Sequence, residues 1–409
     1  MQHIMQTIEN KKIQELGIPN RWCLHSYYTL CPYAPDGSGR LLIAGADLDK
    51  DKAEVFVLDS NGAILNRFGN IPTSPSFWHT GLWQSWSRDG QQIYFQSGSQ
   101  QKPQSTRIHL QTGKHVVIDG DIEGMPPLGE PALSCSHGML YAAGYGSNRY
   151  QPERAPIPFQ NRTKHGISQL SFEHPEHNKL KLSTQQILDQ HPQRERILQA
   201  DEAIKERLGS HEGLTLMTYC VRWNRAGDRL LFFFGNHCVV SERNEPKITS
   251  IFTANRDLED LQLAVDLSFE RRGVHWGWQA DNKHLIGYGP SPDDPNKLCL
   301  AEVLYDGTGY RKISDHQSGG HPSTSPRNSD LIVTDECTPS GGNVVFISKQ
   351  TGEIIERIAL PKFIGDVEPA GRNPQRICHH PVFNHDGTRV LSNTLPNRYS
   401  SLVEIEPPL

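Results

Sequence analysis

Asn224-Arg225-Ala226-Gly227-Asp228-Arg229-Leu230-Leu231-Phe232-Phe233-Phe234-Gly235-Asn236 sets a polar, Gly-bearing turn directly before an apolar aromatic run. Such a turn opening an apolar run marks a β-strand at a hairpin. The unit recurs as APDGSGRLLIAGA (34–46), SRDGQQIYFQSG (87–98), CSHGMLYAAGYG (135–146), QADNKHLIGYG (279–289), SPRNSDLIVTDE (325–336) and NHDGTRVLSNT (384–394). Anchored on Gly37, Gly90, Gly138, Gly227, Asn282, Asn328 and Gly387, the seven units step by 53, 48, 89, 55, 46 and 59 residues. Later hairpins such as EVFVLDSNGAIL (54–65), TRIHLQTGKHVVI (106–118) and VVFISKQTGEIIERI (344–358) complete the pattern. Units of roughly 40–50 residues built this way are four-stranded propeller blades. The reading is an all-β, seven-bladed β-propeller forming one domain over 1–409, and two linked β-sandwiches are the plainer alternative. The outlying step contains LSTQQILDQHPQRERILQADEAIKERLGSHEG (182–213), the one helical stretch, read as a short insertion between blades three and four. Ring closure places SLVEIE (401–406) beside N-terminal strands, with residues 1–20 crossing the outside.

Composition narrows the function. Lys plus Arg number 41 against 46 Asp plus Glu, a net charge of −5, which gives no basic footprint for nucleic acid. The opening residues MQHIMQTIENKKIQELG carry charges where a secretory signal needs an apolar run, and eighteen apolar residues nowhere stand together. A cytoplasmic protein outside the membrane is expected, as a monomer or homodimer. Eight cysteines without a CxxC pair make no disulfide scaffold. The 19 histidines need a reason.

Phase supplies one. Residues at one offset from the turn occupy equivalent places around the channel, and counting seven back from the last four anchors gives Cys220, His275, His321 and His380. The same offset in the first three units gives Leu30, Trp83 and Pro131. Cys378, two residues before His380, faces the same way on a strand. Imidazole and thiolate are ligands for borderline transition metals, so a shared metal or substrate is expected here. The plainer reading is that some histidines fall in phase by chance and others bridge blades. A second cluster, on the other side of the channel, holds His25 with Tyr28, His79, and Arg149 with Tyr150, groups suited to a sugar acid through stacking and a guanidinium fork. His25, Tyr28, Arg222 and His237 are the candidates for substrate contact. No GxSxG elbow, P-loop, HExxH or strand-linked GxGxxG occurs. The adjacent carboxylates Asp335 and Glu336 face opposite ways on a strand and do not pair for glycoside hydrolysis.

The runs 320–326 (GHPSTSP), 331–336 (LIVTDE), 380–391 (HPVFNHDGTRVL) and 273–278 (GVHWGW) resemble the last three blades of oligogalacturonate lyases and related seven-bladed ulvan and rhamnose-glucuronate lyases. The resemblance is loose over the chain and best over 215–400. It implies β-elimination on a uronate-containing glycan, with His275 as the base and His321, Gln375 and His380 as ligands of a divalent ion, manganese, zinc or calcium. Cys378 stands where that pattern has another histidine. The arginine that the pattern places 25 residues before the base is Ser250 here. In the ulvan-type relatives the chemistry resembles a histidine and tyrosine on early blades with an arginine, parts that His79, Tyr150 and Arg149 match. A glycan- or protein-binding propeller without catalysis is the alternative.

Overall fold

Each repeat folds as an antiparallel sheet whose first strand is innermost. The computed structural model describes residues 5–8, 11–47, 49–73, 77–98, 102–135, 162–236, 243–338, 341–361 and 377–408. Blade one is Trp22–Leu24, Leu41–Asp47, Lys52–Leu58 and Ile64–Ile71; blade two is Ser85–Trp86, Gln92–Gly98, Pro103–His109 and His115–Asp119. Blade three shows Ala132–Cys135, Gly166–Leu170 and Lys179–Ser183, and its anchor Gly138 lies outside the described residues. Blades four, five and six start at Met217–Trp223, Val274–Trp278 and Ser323–Thr324, each with four strands.

Blade seven departs from expectation. Val382–Phe383, Val390–Thr394 and Ser401–Ile405 continue into Lys11–Leu16, which pairs with Ser401–Ile405 in the register Ile13 to Ile405 and Leu16 to Leu402, and then into Met5–Ile8. The N-terminal segment is therefore two strands of a blade and does not merely cross the outside.

The turn motif fixes the hairpins. Asn224 Oδ1 accepts from Gly227 N and Arg229 N, and Gly227 takes φ of 74°, a left-handed conformation that glycine adopts without a Cβ penalty. Alternation then sorts the strand that follows. Leu230, Phe232 and Phe234 pack toward blade three, while Leu231 and Phe233 pack toward blade five. Seven apolar clusters result, one for each seam between neighbouring blades.

Three short helices are described: α1 (Phe77–Thr80), α2 (Thr184–Asp189) and α3 (Arg194–Leu208). The Ser183–Gln186 capping box starts α2, and Gly209, with φ of 58°, ends α3. Both pack their apolar faces on the seam between blades three and four through Ile187, Leu188, Ile197 and Ile204. Among the described residues no helix is long and apolar enough to cross a membrane.

One buried carboxyl opposes folding at neutral pH. Asp121, between blades two and three, is 3% exposed; its Oδ1 accepts from Ser134 Oγ at 2.9 Å, and burial pushes its pKa up to about 6. The folded state thus favours the protonated acid, so this contribution to stability is full below pH 4 and is lost as pH rises through 6. Asp121→Asn is expected to gain about 2–3 kcal/mol over wild type at pH 8 and only about 1 kcal/mol at pH 4.5. Denaturant unfolding at the two pH values measures the difference; equal gains at both would refute it.

Candidate functional site

The offset of seven residues is a backbone event. Trp83, Cys220, His275 and His380 have φ of 53°, 58°, 57° and 47°, and they stand seven before Gly90, Gly227, Asn282 and Gly387. A left-handed non-glycine residue costs about 1–2 kcal/mol. Strand pairing shifts register between Tyr219 and Arg222 and between Val274 and Gly277, so Cys220 and His275 are bulge residues. A bulge re-aims one side chain while the ladder continues on either side. His321, at the same offset, is reached differently: Gly319 takes φ of 65°, and Gly320 lies so close to blade six that a Cβ would meet Asp335 O at 2.0 Å.

At the centre, His321 Nε2 and His380 Nε2 lie 3.1 Å apart, with both residues buried. Their other nitrogens are committed. His321 Nδ1 donates to Asp335 Oδ1 and Oδ2 at 3.0 and 3.1 Å, and His380 Nδ1 faces Ser26 O at 3.4 Å. Asp335 also accepts from the backbone N–H groups of His321 and His380. His321 Nε2 therefore presents its lone pair toward His380 Nε2, a pair of nitrogens placed to share a proton or a cation. Burial holds both imidazoles well below their usual pKa, with His275 adding to it for His321 and His321 adding to it for His380, so a proton is disfavoured at neutral pH. A divalent metal fits this donor pair, and a carboxylate behind a ligating histidine is the usual second layer.

Two further donors adjoin. His79 on α1, Cys378 and His380 offer ligand atoms all within 4.8 Å of one another. The His79 ring centre is 4.7 Å from that of His380 and 6.0 Å from that of His321. His79, His25 and Tyr28, expected on the other side of the channel, thus stand against the His321–His380 pair. His25 joins it from behind: its Nε2 donates to His380 O at 2.8 Å, its backbone N–H donates to Asn393 Oδ1, and burial lowers its pKa to about 4.

His275 stands at the edge. Its ring centre is 3.9 Å from that of His321, and its Nδ1 donates to Gly319 O at 2.8 Å and Gly320 O at 3.1 Å, leaving the lone pair on Nε2. Unlike His25, His79, His321 and His380, it is partly exposed. Desolvation brings its pKa to about 4, and the Arg222 charge adds to that shift, so the imidazole is neutral at pH 7.

Arg222 lies beneath the histidines. Its guanidinium donates to Tyr28 Oη at 2.7 Å, to Tyr27 Oη at 3.1 Å and to Trp276 O. Tyr27 packs edge-on against His380 at 4.7 Å and Tyr28 against His321 at 5.0 Å, and burial raises both hydroxyl pKa values. Below them a cavity of about 540 Å³ opens at the turn end of the blades, bordered by Tyr28, Arg222, Trp86, Trp278, Glu123 and His385. None of the central histidines lines it.

Other candidates fall elsewhere. Ser250 is on the third strand of blade four, where His191 Nδ1 accepts from Gln193 N and His191 Nε2 donates to Ser250 Oγ at 2.8 Å; it anchors the helical insertion, away from the channel histidines. His379 turns outward onto Asn393 O and Gly342, and His316 joins Tyr288 Oη to Glu336, both structural bridges. Arg149, Tyr150, His237 and Gln375 lie outside the described residues. Sequence reasoning overlooked Tyr27 and the role of Asp335, whose only signal was its facing opposite to Glu336.

No protein-family model and no curated protein sequence matches the chain. Among solved structures, an oligogalacturonate lyase in complex with manganese superposes with a TM-score of 0.65 at 12% identity, covering 100% of this chain and 96% of that one. An oligogalacturonate lyase from Vibrio parahaemolyticus gives 0.65 at 11% identity, with coverage of 100% and 96%. A prolyl endopeptidase structure gives 0.51 at 10% identity and covers 95% of this chain but 50% of its own. The chain has, over its whole length, the seven-bladed fold seen in oligogalacturonate lyases.

Proposed function

We propose that the protein is a lyase that cleaves a uronate-containing oligosaccharide by β-elimination, acting in the cytoplasm on short substrates. The observation that carries this reading is a neutral, partly exposed His275, oriented through Nδ1, against the buried His321–His380 pair. His275 Nε2 takes the C5 proton of the uronate. The C5–H electron pair becomes the C4–C5 double bond, the C4–O4 bond breaks, and O4 leaves with a proton from solvent. Because the C5 proton lies α to a carboxylate, it is acidic only when that charge is neutralised. A divalent ion, when bound, supplies the positive charge. His321, Cys378 and His380 would hold it, with Asp335 fixing His321. Arg222, held by Tyr27 and Tyr28, adds a second positive charge below the site.

The test is ultraviolet absorbance of the unsaturated uronate during incubation with a panel of oligouronates. A rise that is lost with chelator and restored by added divalent metal is expected. Absence of any rise, with metal present, would replace this reading with a propeller that only binds.

A further inference from the structure

We infer that the ion held in this channel is bound by a thiolate and three imidazoles, Cys378 with His79, His321 and His380, and that the site selects zinc-like metals over manganese. The inference rests on the reading of the channel as a metal centre and concerns which donors and which metal it uses. His79 is the added member. It comes from α1 before blade two, whereas the other three come from the sixth and seventh repeats. Its ligand nitrogen lies within 4.8 Å of both Cys378 Sγ and the ligand nitrogen of His380, and His380 Nε2 lies 3.1 Å from His321 Nε2. Three donors, from α1 and the seventh repeat, thus lie together, and His321 adjoins them through His380, at a separation that suits two ligands of one ion with metal–nitrogen bonds of about 2.0–2.1 Å.

Donor chemistry then decides the metal. Manganese favours carboxylate, carbonyl and water oxygens in an octahedral shell, while thiolate with imidazole suits zinc and its tetrahedral neighbours. Among the described residues the carboxylate behind His321 is Asp335, which is engaged with His321 Nδ1 and two backbone N–H groups. It therefore serves behind the histidine. Binding deprotonates the Cys378 thiol, so the Cys378 S–H proton passes to solvent as the metal–sulfur bond forms.

Cobalt(II) is the probe. Added to the metal-freed, full-length protein, it should give the intense visible bands of a tetrahedral site together with a thiolate-to-cobalt charge-transfer band in the near ultraviolet. Cys378→Ser should abolish the charge-transfer band and lower the preference for zinc over manganese at least about tenfold. His79→Asn should weaken zinc binding by more than the roughly 10–100-fold that loss of an outer-shell partner costs. A pale octahedral cobalt spectrum without charge transfer would overturn the inference on the wild-type protein alone, whether or not the variants fold. So would zinc affinity unchanged in His79→Asn. Turnover is not needed for either readout. A thiolate–cobalt band without elimination leaves this inference standing and removes the lyase, whereas elimination without the band does the reverse.

Discussion

His275→Ala is expected to lose about 10²–10⁴-fold in kcat on whichever oligouronate the wild type cleaves, the range that a positioned general base contributes. The substitution removes the Nε2 lone pair and little else. Of the two carbonyls that accept from Nδ1, the nearer, Gly319 O, belongs to a half-buried residue, where water can take the place of the ring. Zinc or cobalt binding should persist, because the Nδ1–H of His275 is committed to those carbonyls and its ring stands beside the ligand set. KM should change little, and free imidazole should restore part of the rate by entering the vacated space. Activity within about fivefold of wild type would remove His275 from the chemistry.

Trp276→Ala is expected to be the most destabilising single change, about 3–5 kcal/mol. Trp276 is 0% exposed and its Nε1–H donates to Tyr288 O at 3.1 Å. It lies on two glycines: a Cβ at Gly287 would meet the indole at 2.5 Å, and one at Gly289 would meet it at 3.0 Å. The strand beneath the ring is bare so that the ring can sit there, and alanine would leave that floor uncovered. Chemical unfolding of metal-free protein measures the loss free of ligand linkage. A change under 1 kcal/mol would mean that the blade repacks. Because Trp276 follows His275, a fall in kcat is expected alongside, smaller than in His275→Ala.

Much of this was legible in the sequence for a physical reason. A β-hairpin turn needs left-handed residues, so Gly37, Gly90, Gly227, Asn282 and Gly387 announce the blades, and all five have positive φ. The bulge lies a fixed distance before the turn, so the phase of Cys220, His275 and His380 was visible as well. Three things were not. Blade one breaks the phase, for its left-handed residue is Ser26, eleven before Gly37, and this hid Tyr27. Sequence offset also gives the angle around a channel but not its radius, so His79 read as distant from His380 when their rings are 4.7 Å apart. The strands Met5–Ile8 and Lys11–Leu16 carry no turn signal of this kind, which is why residues 1–20 read as crossing the outside when they add two strands to blade seven.

That closure has a consequence for how the protein is made. Leu16 pairs with Leu402, Cys23 O accepts from Ser400 Oγ, and His25 reaches both His380 and Asn393, so the histidine cluster is built across the seam where the two ends of the circle meet. A chain emerging from the ribosome carries His25 and His79 early, yet it has no centre until the strand Ser401–Ile405 has been synthesised and docked on Lys11–Leu16. Docking of that strand is then the step that closes the ring around the proposed metal site. Metal uptake by nascent or truncated chains becomes a direct reporter of whether the circle has shut.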